Sequence, residues 1–478
     1  MSLQSLREKL DNKDISAAEL CGEYLKKIND KDGKINSYIT VCKESAMKQA
    51  DAAQKIIDSG KSKPLTGIPM SIKDNICTLG VKTTCASKML EDFVPTYNAT
   101  VMDKLDSEGI VMLGKTNMDE FAMGGSSQTS YFGGVHNPYN IGCVTGGSSG
   151  GAAASVAAGL CAAALGSDTG GSVRQPAAFC GVTGLKPTYG TVSRYGLIAF
   201  ASSLDQIGVL ANSAADTGYV LNSIYGVDPS DATSSQKAEG DYLSKIGMSL
   251  SGLVIGIPKE FFSDGISEDV KKCVMSAAKY YESLGCTLKD VSLPSLEYAV
   301  SAYYLISSAE AASNLSRFDG IKYGYRAGLG EDFNELIKNT RREGFGDEVK
   351  RRIMLGNYAL SSGYYDAYYK NASRIRSKLR AEYSEIFKDC DIILTPTAPT
   401  CAYKIGEQEH DPIKMYLADI CTVTVNIAGL PAISTPCGYN EDGMPIGMSL
   451  VGKAFDEALI IAAADRFEQD FERHEISL

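Results

Sequence analysis

Apolar positions recur through the first sixty residues with the spacing of helices. Leu20, Tyr24, Leu25 and Ile28 fall on one face of an amphipathic helix. Ser16-Ala-Ala-Glu19, just ahead of them, has the form of a capping box, in which Ser and Glu each satisfy an open N–H of the first turn. Residues 46–57 repeat the helical pattern and stop at Gly60. From Leu65 the texture changes to short apolar runs punctuated by Gly and Pro, such as GIPMSIKDNI, GIVMLGKTN, GLKPTYG and GLIAFASSLDQIGVL, which read as strands. Residues 152–165, alanine-rich and uncharged, read as a small-residue helix between two glycine-rich loops. Residues from about 228 to 383 are more charged and Tyr-rich, with helical segments at 270–284 and 375–386. A strand-like run at 391–394 enters a Pro/Thr loop at 395–400. Sheet-like texture returns at 426–438 and 444–451, and a last helix is expected near 456–471. Strands alternating with helices predict an α/β fold. The expected organisation is a single domain over 1–478, with N-terminal helices (1–60), a core sheet from 61–227 and 384–478, and a peripheral helical region at about 228–383.

Composition narrows the function. Of 478 residues, 44% are apolar, so a large core can form without disulfides or metals. Lys plus Arg number 47 against 58 Asp plus Glu, a net charge of −11 that argues against independent nucleic-acid binding, which needs a basic face. A place inside a nucleic-acid-processing complex stays open. The thirteen cysteines are odd in number and scattered without any CxxC, which supports neither a zinc ribbon nor a thioredoxin-like motif. Several, such as Cys161, Cys180 and Cys390, lie in apolar runs and read as buried thiols in a reducing cytoplasm. The opening MSLQSLREKLDNKD mixes both signs of charge and lacks the apolar core of a signal peptide. The longest uncharged stretch is Ala, Gly and Ser, too weakly apolar for a membrane span.

Candidate chemistry gathers in two loops, GGSSGG at 146–151 and GSDTGGSVRQP at 166–176. Glycines let backbone approach another group closely, and the serines among them can act as nucleophiles or anion-binding donors. A flexible linker is disfavoured for the first loop, because it runs directly into small residues suited to tight packing. A phosphate cradle lacks its GK[ST] ending there. The literal P-loop pattern GIVMLGKT at 109–116 reads as a false match, since all four residues between its glycines are apolar, as in a buried strand. Histidine is nearly absent: His136 sits in a Gly/Pro/Asn loop, His410 in the acidic run GEQEHDP and His474 in the charged tail. HExxH does not occur, and no metal site is expected. A base for an activated serine is therefore not expected to be imidazole, which turns attention to Lys73 in GIPMSIKDN. That lysine is either a surface residue closing a strand or a partly buried amine held neutral by desolvation.

Together these segments resemble the amidase signature family. The two loops and the lysine motif match its signature, and the likeness extends through GKTNMDEFAMG (114–124), GLKPTYG (184–190), SSLDQIG (202–208), LTPTAP (394–399) and NIAGLPAISTPCG (426–438). Thr145 departs from a Pro common before GGSSGG. Within the family, the stretches around 166–208 and 415–434 resemble the branch formed by A subunits of aspartyl/glutamyl-tRNA amidotransferases. The resemblance implies a central mixed β-sheet covered by helices on both faces. It implies a Ser-Ser-Lys triad, with Ser172 as nucleophile, Ser148 as proton relay on a cis peptide bond and Lys73 as neutral base. Backbone N–H groups of Thr169, Gly170 and Gly171 would form the oxyanion hole, with Asp168 structural. Arg352, rather than its neighbour Arg351, would hold the α-carboxylate of glutamine, Asp419 its α-ammonium, and Tyr303 would line the pocket. The chain itself would need no cofactor. ATP and Mg2+ are expected on a B subunit, with a small C subunit completing the complex and misacylated tRNA as its substrate. The alternatives are a stand-alone amidase and a silent scaffold subunit.

Overall fold

In a computed structural model, described over residues 2–238, 240–328, 332–407 and 412–476, thirteen strands are ordered. In chain order they are β1 (Tyr38–Val41), β2 (Pro69–Lys73), β3 (Val111–Thr116), β4 (His136–Asn137), β5 (Asn140–Val144), β6 (Ala163–Asp168), β7 (Thr183–Lys186), β8 (Gln206–Ala211), β9 (Val254–Pro258), β10 (Thr287–Val291), β11 (Ile392–Pro396), β12 (Ala432–Tyr439) and β13 (Pro445–Gly452). β4 and β5 form a separate hairpin. The other eleven make one sheet in the order β1-β3-β2-β6-β8-β7-β12-β13-β11-β9-β10. The sheet is mixed: β2 runs parallel to both β3 and β6, whereas β6–β8, β7–β12 and β12–β13 are antiparallel. Every residue of β2, β3, β6 and β8 is buried, so helices cover both faces of the sheet.

Local signals explain much of this. Ser16 Oγ accepts from the Glu19 N–H at 3.2 Å while Glu19 Oε2 accepts from the Ser16 N–H at 2.9 Å, starting the helix Ala17–Ile35. Gly109, at φ +77°, ends the helix Thr100–Glu108 and turns the chain into β3. The P-loop pattern is thus a helix end followed by a buried strand. Lys115 turns inward there, its ammonium donating to the carbonyl of Ile76 and to Thr78 Oγ1 and Thr83 Oγ1.

Three expectations change. The N-terminal sixty residues are not all helical, because β1 pairs with β3 at the sheet edge. The stretch 228–383 contributes β9 and β10, which extend the main sheet beside β11. Their half-exposed, charged run Thr287–Val291 carries little apolar signal, because it is an edge strand. The alanine-rich stretch splits into a short helix, Gly150–Ala157, and β6, since fully buried small residues suit either element.

Candidate active site

The parallel neighbours β2 and β6 end side by side, with Ile72 paired to Leu165. In α/β sheets, ligands bind beyond the carboxyl ends of such strands. Lys73 is the last residue of β2, and the second glycine-rich loop leaves the end of β6. Lys73 is fully buried. Its Nζ lies 2.9 Å from Ser148 Oγ, 2.8 Å from Ser149 Oγ, and 2.9 and 3.3 Å from the hydroxyl and carbonyl of Ser167. Asn75 Nδ2 donates to Ser167 Oγ at 2.9 Å and so fixes one of those partners. Burial pulls the amine down to about 7, against the opposing pull of Asp119, Asp168 and Asp205. Of the two readings left by the sequence, the structure gives the buried amine. Ser149, Ser167 and Asn75 escaped the sequence reading, although Ser149 and Asn75 stand inside the motifs that supplied Ser148 and Lys73.

Ser148 follows a cis peptide bond from Gly147. The Gly147 N–H donates to Gln175 Oε1 at 2.9 Å, and the Ser149 N–H to the Ser172 carbonyl at 3.0 Å, so the two loops are tied by backbone. Ser172 is 7% exposed, whereas Lys73 and Ser148 are at 0%. Beneath the loop, Asp168 receives Nε of Arg174 at 3.0 Å and Nδ2 of Asn426 at 2.8 Å. Burial would raise this carboxyl, but the Arg174 guanidinium holds it at about 2. Thr169 is anchored through its hydroxyl, which donates to Asp205 Oδ1 at 2.7 Å.

One expected oxyanion donor is already engaged. The Gly171 N–H donates to Asp168 Oδ1 at 2.9 Å, because the carboxylate collects the N–H groups of the turn above it. The N–H groups of Thr169, Gly170 and Ser172 have no acceptor among the described residues. Both glycines are sterically required. A Cβ on Gly170 would lie 2.5 Å from Tyr303 Cζ, and one on Gly171, at φ +138°, would sit on the Thr422 hydroxyl.

A second cluster faces this loop. Tyr303, buried on the helix Leu296–Asn314, packs against Gly170, and its ring meets Tyr304 edge-on at 5.0 Å. Tyr304 donates its hydroxyl to Asp419 Oδ2 at 2.7 Å. Burial lifts the Asp419 carboxyl to about 7, opposed by the Tyr304 hydrogen bond and by Arg352. Arg352, on the helix Asp347–Leu360, is buried, whereas Arg351 keeps 47% of its side chain in solvent. The Arg352 Nε donates to Glu348 Oε1 at 2.6 Å, and its guanidinium lies 4.4 and 4.9 Å from the rings of Tyr304 and Tyr416. A cavity of about 540 Å³, bordered by Ser126, Glu348, Arg351 and Tyr403, opens beside this cluster. Glu348, Tyr304 and Tyr416 carry no motif signal of their own and are recognised only through this packing.

The remaining sequence candidates lie apart. His136 Nδ1 is 2.7 Å from the Ile141 carbonyl in the β4–β5 hairpin, and His474 stacks on Tyr439. His410 lies outside the described residues. Among the described residues, no group of three His, Cys, Asp or Glu is arranged to hold a metal ion, and no helix is long and apolar enough to cross a membrane. Every cysteine is a free thiol.

The amidase family model matches residues 19–461. The A subunit of a glutamyl-tRNA(Gln) amidotransferase from Ruminiclostridium cellulolyticum is 55% identical over 473 residues, covering 98% of this chain and 97% of that protein. The protein of the same name from Caldanaerobacter subterraneus subsp. tengcongensis is 54% identical, with 98% and 96% covered. A crystal structure of the glutamyl-tRNA(Gln) amidotransferase A subunit from Thermotoga maritima superposes with a TM-score of 0.79 at 40% identity, covering 95% of this chain and 92% of that one. With likeness of this extent running from end to end, the chain belongs to the amidase family, the enzymes of the amidase signature.

Proposed function

We propose that this chain is the glutaminase subunit of a tRNA-dependent amidotransferase, hydrolysing glutamine to glutamate and ammonia. The observation that carries the chemistry is Lys73: fully buried, 2.9 Å from Ser148 Oγ and with its pKa brought down to about 7 by burial, it is an amine able to act as a base. Ser172 Oγ attacks the side-chain carbonyl carbon of glutamine. Its proton passes to Ser148, and the Ser148 proton passes to Lys73. The oxyanion is held by N–H groups of the 169–172 loop, with Thr169 and Gly170 in the roles the family resemblance gives them. Collapse of the tetrahedral intermediate breaks the C–N bond. Lys73, through Ser148, returns the proton to the departing ammonia. Water then adds to the glutamyl ester by the same relay in reverse, releasing glutamate and Ser172. Arg352 and Asp419 hold the α-carboxylate and α-ammonium, with Tyr303 closing the pocket.

The relatives' shared name, the A subunit of glutamyl-tRNA(Gln) amidotransferase, supports the assignment to a complex. In our reading, B and C subunits complete the complex in the cytoplasm. The B subunit binds ATP and Mg2+ and transfers ammonia to misacylated Glu-tRNA(Gln) or Asp-tRNA(Asn). The test is ammonia release from glutamine by the chain co-expressed with B and C subunits, with and without misacylated tRNA. Activity that Ser172→Ala abolishes is the expected result. Vigorous hydrolysis of another amide by the chain alone would favour a stand-alone amidase. Failure of a serine-directed probe to label Ser172 in the complex would favour a silent scaffold.

A further inference from the structure

Thr422 is buried at the start of the helix Val423–Ala428, yet its side chain caps nothing in that helix. Its hydroxyl turns away and meets two carbonyls, that of Gly170 at 2.6 Å and that of Asp419 at 3.1 Å, the Gly170 contact being the shorter. The same peptide unit offers its N–H, that of Gly171, to Asp168 Oδ1 at 2.9 Å. A peptide gripped at both its C=O and its N–H cannot rotate about the chain axis. Fixing that plane narrows the directions open to the N–H groups on either side of it, those of Gly170 and Ser172. Neither has an acceptor among the described residues. Thr422 also fills the space that a side chain on Gly171 would need. Thr422 is itself held firmly. Its N–H donates to the Asp419 carbonyl at 3.0 Å, and its carbonyl receives both Nη groups of Arg174 at 3.3 Å. One residue thus spans the oxyanion loop and the turn that carries Asp419.

We propose that Thr422 is a positioning residue for the oxyanion hole, its hydroxyl setting the Gly170–Gly171 peptide so that the N–H groups of Gly170 and Ser172 face the reacting carbonyl. The proposal rests on the reading of Ser172 as the nucleophile. It differs from a packing role, because a residue of the same shape without the hydroxyl should fill the space but fail to align the donors.

The test compares Thr422→Val and Thr422→Ser with wild type and Ser172→Ala in the assembled amidotransferase. Loss of a single oxyanion donor costs about 10²–10³ in rate, so misalignment through Thr422→Val should cost about 10- to 100-fold in kcat. KM for glutamine should stay within about threefold, and Thr422→Ser should recover most of the rate. The melting temperature of each variant shows whether it is folded. A kcat for Thr422→Val within threefold of wild type would overturn the proposal. So would a loss confined to KM, or a loss that Thr422→Ser does not repair. If wild type leaves glutamine untouched, the glutaminase reading falls separately. Thr422 is then judged by the rate at which a fluorophosphonate acylates Ser172, expected to be about tenfold slower in Thr422→Val, with an unchanged rate counting against it.

Discussion

The buried amine of Lys73 makes a quantitative claim about pH. An ordinary lysine titrates near 10.5, and this one is brought to about 7 by burial. As a base it works only when neutral, so activity is lost as pH falls. With a pKa of 7 the neutral fraction is about 10% at pH 6, about half at pH 7 and about 90% at pH 8; at 10.5 it would be only about 0.03% at pH 7. Asp419 adds a second titration, because it too lies at about 7 and in its proposed role can bind an α-ammonium only as a carboxylate. In the free enzyme both groups must be deprotonated. Well below pH 7, kcat/KM for glutamine should therefore fall about a hundredfold per pH unit. In the complex the bound ammonium keeps Asp419 ionised, so kcat at saturation should fall only about tenfold per unit, from Lys73 alone. The assay is ammonia release from pH 5.5 to 9.5, at saturating glutamine and well below KM, with Asp419→Asn to remove the second titration. A kcat still climbing tenfold per unit above pH 8 would refute the reasoning, because Lys73 would then have kept its ordinary pKa. A kcat flat down to pH 5.5 would refute it as well.

Three further outcomes are expected. Arg174→Ala leaves Asp168 charged and buried without its guanidinium, and should cost about 3–5 kcal/mol in chemical unfolding; a loss under 1 kcal/mol would mean that Asn426 and the loop N–H groups suffice. Arg352→Lys should raise KM for glutamine at least about tenfold, since an ammonium cannot offer a planar fork, whereas Arg351→Ala should leave KM within about twofold; equal effects would mean that the wrong arginine has been assigned. ATP should leave the melting temperature of the isolated chain unchanged, because the Lys115 ammonium is enclosed by Ile76, Thr78 and Thr83; a shift that Lys115→Met removes would restore the P-loop reading.

The candidate site is legible where its residues are local in sequence. GGSSGG and GSDTGGS announce backbone donors and hydroxyls, and the scarcity of histidine directs the search for a base to Lys73. What surrounds Lys73 was harder to see. Ser167 reaches it only because β6 lies parallel to β2 in a register that pairs Ile72 with Leu165. Arg351 and Arg352 differ by a rotation of about 100° around one helix, so residue type alone does not separate them; the resemblance names Arg352, and packing buries that one. The resemblance offers Gly171 as a free donor. The competing claim of Asp168, three residues earlier, is a matter of turn geometry rather than residue type. β1 and β10 were missed because four or five residues at a sheet edge bury too little to leave an apolar pattern.

The distance along the chain between Gly170 and Thr422 is 252 residues. At ribosomal speeds of about 5–20 residues per second, the loop at 166–176 leaves the ribosome roughly 13 to 50 seconds ahead of the segment that contacts it. During that interval a nascent chain holds Lys73, Ser148 and Ser172, but not the Asn426 amide, the Thr422 hydroxyl or strand β12, which pairs with β7. The unfinished polypeptide therefore carries the loop's serines without the groups that hold the loop in place, together with an open β7 edge free to pair with another chain. Residues 422–439 supply both the hydroxyl that meets Gly170 and the strand that covers β7, so the loop waits for partners made long after it.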